Sequence, residues 1–371
     1  MTIIYSIIKN LPLISIGIIG IGLIIGFHEL GHFIFCKIFR VKTPSFSIGF
    51  GPKLINKQIG DTLFSISAIP FGGYVEIAGI QEVGQGEQKE AFRRDELSFS
   101  EKPYYQKLII LSGGILFNIL LAYLLMILLF SLGTPKSALL GDDTIPPVIG
   151  KVIPGLAAEK YGLKENDKII AINEQNVNSS HELHQTVKNL PNQEAKLTLE
   201  RAGETISTPL TIGSIKQGDQ EIGQIGIEFA PAFSAPIPVY KSIIKAFSAT
   251  SQMLFATFNQ YLSLFKNKTF QSVGGPIMMI SEVSKSAKHG FRIFLFLLVI
   301  INLNLAILNL IPIPILDGGQ ILFTTIEAII RQPIPEAIRI GIHYICWVLA
   351  IALTVYLSYK DLLKLLGSLL R

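Results

Sequence analysis

"IIGIGLIIGFHELGHFIFCKIF", Ile18–Phe39, is the stretch on which the fold turns. An apolar run long enough to enter a bilayer contains His28-Glu29-Leu30-Gly31-His32. Ionisable groups in hydrocarbon are costly, about 2.5–3.5 kcal/mol each for Asp, Lys or Arg even on lenient insertion scales. Two imidazoles and a carboxylate placed there need a shared task that offsets the cost. On a helix, residues i and i+4 share a face. His28 and His32 can therefore address one ion, with Glu29 rotated toward the ion's water. The plain alternative is a histidine pair that only packs a helix crossing.

The rest of the chain has the same character. Of 371 residues, 49% are hydrophobic and only 16% charged, against about 25% charged in soluble domains. Four segments come near the roughly 20 apolar residues needed to span a bilayer: Leu11–Phe35, Leu108–Leu132, Ile293–Leu316 and Ile340–Tyr359, the last interrupted only by His343. The first is long for a signal peptide and no small-x-small cleavage pattern follows Gly26, so it is expected to remain as a span. Cys36 and Cys346 both fall in or beside apolar runs and read as small buried hydrophobes.

The net charge of +5 matters through its distribution. Lys37, Arg40, Lys42, Lys53, Lys57, Lys89, Arg93, Arg94 and Lys102 lie between the first two spans, and only Lys9 precedes them. The positive-inside rule puts that loop in the cytoplasm and the N-terminus outside, although Lys360, Lys364 and Arg371 argue weakly the other way. No basic block of the kind that binds nucleic acid is present.

Zinc at a catalytic site takes three protein ligands and leaves a fourth position open. "NLIPIPILDGG", Asn309–Gly319, closes the third span. Two prolines two residues apart cannot continue a helix, so the chain must unwind at membrane depth, which is tolerated where it lines a cavity. Asp317 ends this broken segment. Spans one and three run in the same direction, so His28, His32 and Asp317 reach the same side at similar depth. Asp317 is thereby the expected third ligand; alternatively it is a helix-end residue at the headgroups.

These motifs and others resemble the site-2 protease family of intramembrane metalloproteases, most of all its bacterial regulator-of-sigma-E branch. The resemblance rests on His28–His32, "FSIGFGPK" (Phe46–Lys53), "PFGGYV" (Pro70–Val75), "SGGILFN" (Ser112–Asn118) and Asn309–Gly319, in the family's order and over most of the chain. Ile115 departs from it, standing where a proline is expected. The resemblance implies zinc held by His28, His32 and Asp317, Glu29 as general base, and Asn309 with Pro312 and Pro314 facing the substrate. Asn118 reads either as a polar group that supports the site or contacts the substrate, or as an amide satisfied between helices.

The expected architecture is an α-helical membrane protein of four spans, with a membrane-associated β region on the cytoplasmic side and one extracytoplasmic PDZ-like α+β domain. The boundaries are 1–36 for the first span with HELGH, 37–106 for the cytoplasmic-side loop, 107–133 for the second span, and 144–230 for the PDZ-like domain. An interfacial amphipathic helix at 236–268, the third span and broken segment at 291–319, and the fourth span at 338–360 complete it. Residues 44–80 alternate as two or three strands with Gly-rich turns. Such a strand beside the metal, including Gly72 and Gly73, can hold an unwound substrate by strand addition. The alternative is a hairpin that only packs. From Val148 the pattern resembles a circularly permuted PDZ domain, whose peptide loop is Gln224-Ile225-Gly226-Ile227. Its role is either peptide capture or size filtering. Ile237, Tyr240, Ile244, Phe247, Leu254, Phe258 and Phe265 repeat at helical spacing, with Lys241, Lys245 and Gln252 opposite.

The reading is a zinc endopeptidase in the bacterial inner membrane that cleaves single-pass membrane proteins within the bilayer. A pre-trimmed anti-sigma factor or a remnant signal peptide is the expected kind of substrate. An ion transporter would also place charge and a broken helix in lipid, but is expected to show inverted repeats, which the sequence lacks. A catalytically inactive scaffold has no use for Glu29.

Overall fold

The computed structural model describes residues 2–80, 88, 90–141, 144–217, 220–267 and 275–369. They form two compact units, Met1–Phe130 with Pro238–Arg371, and Ser131–Ile237.

The first unit opens with helix α1 (Thr2–Ile38), which starts well before the apolar run and carries HELGH inside it. Strands β1 (Ser45–Ile59) and β2 (Thr62–Glu76) follow, then helix α2 (Tyr104–Leu132). The two strands are long and fold on themselves. Ser45–Ile48 lies between Leu63–Ile66 and Gly73–Glu76, while Lys53–Ile59 pairs back along Thr62–Ser67. Two strands thus make a sheet four ribbons wide, with Gly73–Glu76 along one edge. Phe33 of α1 anchors it, its ring centroid 5.6 Å from Phe46 and 5.5 Å from Phe64.

Helix α2 shows how the membrane unit is packed. Leu116, Leu120, Leu124 and Leu128 form an exposed stripe at four-residue spacing, while Gly113, Gly114, Asn118 and Ala122 are buried. This inverts the pattern of a soluble helix. Lipid accepts leucine, whereas small residues let backbones approach and polar residues need partners inside.

The second unit contains strands β3 (Ile149–Val152), β4 (Lys168–Ile172), β5 (Gln175–Asn176), β6 (Glu194–Arg201), β7 (Glu204–Thr211), β8 (Gly213–Gln217), β9 (Gln220–Gln224) and β10 (Ile227–Phe229). Helix α3 (Ala157–Lys160) follows β3, and helix α4 (Ser180–Lys188) follows β5. Ser179 caps α4, its side chain accepting from the Glu182 N–H at 3.2 Å. β4 to β7 form one antiparallel sheet, β10 pairs with β3, and the hairpin β8–β9 is an addition the sequence pattern did not reveal. Ile149, Ile169, Leu183, Leu197, Leu199 and Ile212 build its core. Asp167 is locked by Arg201, which donates to Oδ1 at 2.6 Å and Oδ2 at 2.7 Å. Burial alone would raise this carboxyl. The Arg201 guanidinium and the Lys164 N–H outweigh it and hold Asp167 below the usual carboxylate range.

The chain returns to the first unit through helices α5 (Val239–Asn267), α6 (Pro276–Lys288), α7 (Phe291–Leu310), α8 (Asp317–Ile330) and α9 (Glu336–Leu369). On α5 the large apolar side chains Tyr240, Ile244, Phe247 and Phe258 are exposed, and Ser242, Ala246, Thr250 and Met253 face the protein. The Tyr123 ring of α2 stacks on Phe247 at 5.5 Å, and Tyr261 donates to Asn304 at 3.1 Å. Helices α6 and α8 were not foreseen from the sequence. Asp361 of α9 accepts from the Gly275 and Met278 N–H groups at 3.2 and 2.9 Å, so a carboxylate 83 residues away in sequence caps α6. Among the described residues, four helical stretches are long and apolar enough to cross a membrane: Ser15–Ile38, Tyr104–Leu132, Phe291–Leu310 and Ala337–Leu363.

Candidate metal centre

Helix α1 supplies three side chains from one turn. His28 and His32 are buried and face the same way; Glu29 is half-buried beside them. The crossing of α1 with α2 sets their depth. A Cβ on Gly31 would fall 2.1 Å from the Gly113 carbonyl oxygen, and one on Gly113 would fall 2.7 Å from Gly31. Only glycine allows that approach. One residue on, a Cβ at Gly114 would lie 2.3 Å from His28 Cε1 and 2.4 Å from His32 Nε2. Gly114 is thus the floor beneath both rings.

Two polar contacts orient the imidazoles. His32 Nδ1 lies 2.8 Å from the Ile110 carbonyl oxygen, which accepts only if Nδ1 carries the proton. That leaves Nε2 with its lone pair toward the centre. His28 Nδ1 lies 3.1 Å from the Asn118 amide. An amide can present either its nitrogen or its oxygen. With the oxygen toward His28, Nδ1–H donates and Nε2 is again the free ligand atom. Asn302 of α7 is buried and donates to the Asn118 carbonyl, tying α7 to this support.

The third group arrives from the far end of the chain. Helix α7 stops at Leu310, and α8 begins at Asp317. The intervening prolines force the break. Two glycines then seat the first turn of α8 against the loop: a Cβ on Gly318 would meet the Leu310 carbonyl at 2.4 Å, and one on Gly319 the Ile313 carbonyl at 2.1 Å. Gln320 adds a bond to the Pro314 carbonyl at 3.1 Å. Asp317 then points at both histidines, with Oδ2 3.5 Å from His28 Nε2 and Oδ1 3.4 Å from His32 Nε2. The two Nε2 atoms are 3.3 Å apart. Donor atoms of all three lie within 4.8 Å of one another. Asp317 Oδ2 is buried without a hydrogen-bond partner. A buried orphan acceptor facing two imidazole nitrogens fits a divalent cation and is costly without one.

Among the other expected residues, Gly73 lies beside Glu29. A Cβ on Gly73 would lie 3.2 Å from Glu29 Cγ and 2.9 Å from the Ser47 carbonyl, so the edge ribbon runs directly past Glu29. Gly72 has φ +95 and lies under the Phe50 ring. Asn309 is buried at the end of α7, Pro312 is exposed and Pro314 half-buried. In the second unit, Gln224 ends β9 and Ile227 begins β10. Gly226 turns between them at φ +85, whereas Ile225 is a buried core residue whose side chain points inward rather than into a groove. Gly113 and Gly114 stood in a quoted motif without a role. Gly113 lies three positions after Ile110 and Gly114 four positions before Asn118, but nothing local shows what lies opposite.

The profile of Peptidase family M50 matches residues 16–353. A Campylobacter jejuni protein, provisionally named zinc metalloprotease Cj1068, is 32% identical over 95% of this chain and 93% of its own length. A Rickettsia conorii protein, provisionally named zinc metalloprotease RC0203, is 30% identical over 91% of this chain and 96% of its own. Zinc metalloprotease RasP of Bacillus licheniformis is 25% identical over 93% of this chain and 97% of its own. With a family profile spanning nearly the whole chain and relatives similar over nearly all of theirs, the chain belongs to Peptidase family M50.

Proposed function

We propose that this zinc metalloendopeptidase cuts single-pass membrane proteins within the bilayer, with His28, His32 and Asp317 holding the ion and Glu29 acting as general base. The observation that carries this reading is the convergence of the three donor sets beside an edge strand, within helices apolar enough to span a membrane. Zinc, when bound, supplies Lewis acidity at the scissile carbonyl. Ile110 and Asn118 hold the two rings in the ligating orientation. Glu29 takes a proton from the attacking water and delivers it to the leaving nitrogen. A helical substrate hides its carbonyls, so it must unwind first. The Gly73–Glu76 edge can hold it extended by backbone hydrogen bonds, and Asn309, Pro312 and Pro314 form the opposite wall.

The charge distribution supports a cytoplasmic position for the β region and an outer position for the N-terminus and the second unit. We read that second unit as a PDZ-like domain, its peptide loop at Gln224–Ile227, which selects substrates by capturing a terminus or excluding bulky ectodomains. An inner-membrane location and a pre-trimmed anti-sigma factor or remnant signal peptide as substrate follow from the same reading.

The test incubates the purified full-length protein, in bilayers, with single-pass segments in the presence and absence of a chelator, alongside Glu29→Gln. Cleavage that is lost with chelator and falls at least about a hundredfold in Glu29→Gln supports the assignment. Near-normal cleavage by Glu29→Gln rejects it.

A further inference from the structure

A second concave site lies away from the metal. It is a cavity of about 500 Å³ between the start of α2, the second half of α8 and the start of α9, with Ile80, Ala91 and Phe99 on its remaining wall. That volume is within the range of ligand pockets, roughly 300–1,000 Å³. The Tyr104 hydroxyl bonds Thr325 at 3.0 Å and so fixes α2 to α8 at its edge.

Its charge is one-sided. Arg94, Lys107, Arg331 and Arg339 line it, against Glu101 and Glu327. Glu327 is already engaged: it lies 3.6 Å from Arg339 and accepts from the Ile334 N–H at 3.1 Å. Arg339 Nε is nonetheless buried without a partner. Among the described residues Arg94 bonds only backbone carbonyls, those of Gly79 and Arg93. Among the described residues no carboxylate pairs with Lys107 or Arg331. Cations brought together in a partly enclosed space repel one another and lose hydration, which an anion would offset. The first turn of α2 lines the same cavity at Tyr104 and Lys107, and α9 reaches it at Arg339 and Ile340.

The position selects among anions. α2 and α9 are both long and apolar enough to cross a membrane, so their first turns lie at its boundary with water, at the level of lipid phosphates. Guanidinium groups match phosphate oxygens in paired hydrogen bonds, and Phe99 and Ile340 offer apolar surface beside them. Basic pockets between spanning helices are places where anionic headgroups bind.

We propose that this cavity is a phosphate-binding site, held by Lys107, Arg331, Arg339 and Arg94, which takes the phosphodiester headgroup of an anionic lipid or a free phosphate. It is separate from the metal centre and does not depend on the proteolytic reading.

The experiment uses the full chain. Native mass spectrometry counts phosphatidylglycerol and phosphatidylcholine retained from mixed vesicles, and thermal unfolding is followed with and without inorganic phosphate. The variants are Lys107→Gln/Arg331→Asn and, as a charge-matched control, Lys53→Gln/Lys57→Gln on the exposed half of β1. Asn tolerates the left-handed backbone of Arg331, at φ 57. Wild type and control should retain phosphatidylglycerol at least about tenfold over phosphatidylcholine, and the cavity variant should lose that preference. If free phosphate is the ligand instead, it should raise the unfolding temperature of wild type and control only. Should the double variant fail to fold, Arg94→Gln carries the same expectation in weaker form. An unchanged lipid preference and phosphate response in the folded cavity variants, or equal loss in the control, overturns the proposal.

Discussion

Gly31 and Gly113 meet backbone to backbone where α1 crosses α2, and the crossing sets where both histidines stand. A Cβ on Gly31 would sit 2.1 Å from the Gly113 carbonyl oxygen. That neighbour is main chain and cannot rotate away. Gly31→Ala is therefore expected to push the helices apart, destabilising the protein by about 1–3 kcal/mol. It should also draw His32 away from the Ile110 carbonyl. Zinc content and unfolding temperature of the purified variant check this. Wild-type values for both would show that the crossing relaxes without cost.

Asp317 reaches the centre only through the break between α7 and α8. Asp317→Ala should leave the helices formed and release the zinc, because two imidazoles alone hold it weakly. Elemental analysis after dialysis measures the effect. Stoichiometric zinc in a folded His28→Ala/Asp317→Ala variant would rule out this ligand set.

Asn118 is fully buried beside the candidate metal centre. Its amide lies 3.1 Å from His28 Nδ1. Replacement of such supporting groups typically costs about 10–100-fold in metal affinity or activity. Asn118→Ala should lose zinc to a competing chelator that much more readily, while Asn118→Asp, which can still accept from Nδ1–H, should recover part of the affinity. Equal zinc retention by Asn118→Ala and wild type would make the contact incidental.

In the second unit, Asp167 is held below the usual carboxylate range by Arg201 and the Lys164 N–H. A depressed folded value means the unfolded chain takes up the proton first. The stabilisation is therefore complete above about pH 3.9, the ordinary Asp value, and is lost as pH falls through the lower folded value. Hydrogen exchange of the Ile149 and Ile169 amides in the full-length protein should accelerate across that acidic window. Arg201→Ala should remove the acid sensitivity and cost about 1.5–3 kcal/mol at neutral pH. An unchanged acid profile in that variant would assign the sensitivity to another group.

Much of the centre was legible because it is local. His28, Glu29 and His32 fall within one helical turn, so spacing alone fixes their shared face. Asp317 was reachable by counting reversals of the chain, since a bilayer restricts helices to two directions. The spans themselves follow from hydrocarbon thickness and composition. In the same way, the two prolines at 312 and 314 state that α7 must end, whatever surrounds it.

What the sequence left open depends on partners far away along the chain. Gly113 and Gly114 are two small residues in an apolar run until α1 is laid across them. Asn118 finds His28 across 90 residues, and Asp361 caps α6 across 83. The 15-residue strands fold back on themselves because Phe46 and Phe64 both seek Phe33. On α5 the exposed apolar stripe could be read from spacing, but which small residues meet α2 and α7 could not. The cationic cavity joins residues 79–107 to residues 324–343 and leaves no periodic trace in either segment. Local spacing determines which side chains share a face, because helix geometry is nearly invariant. Which faces meet is decided by packing, where shape and buried polar partners act across the whole chain.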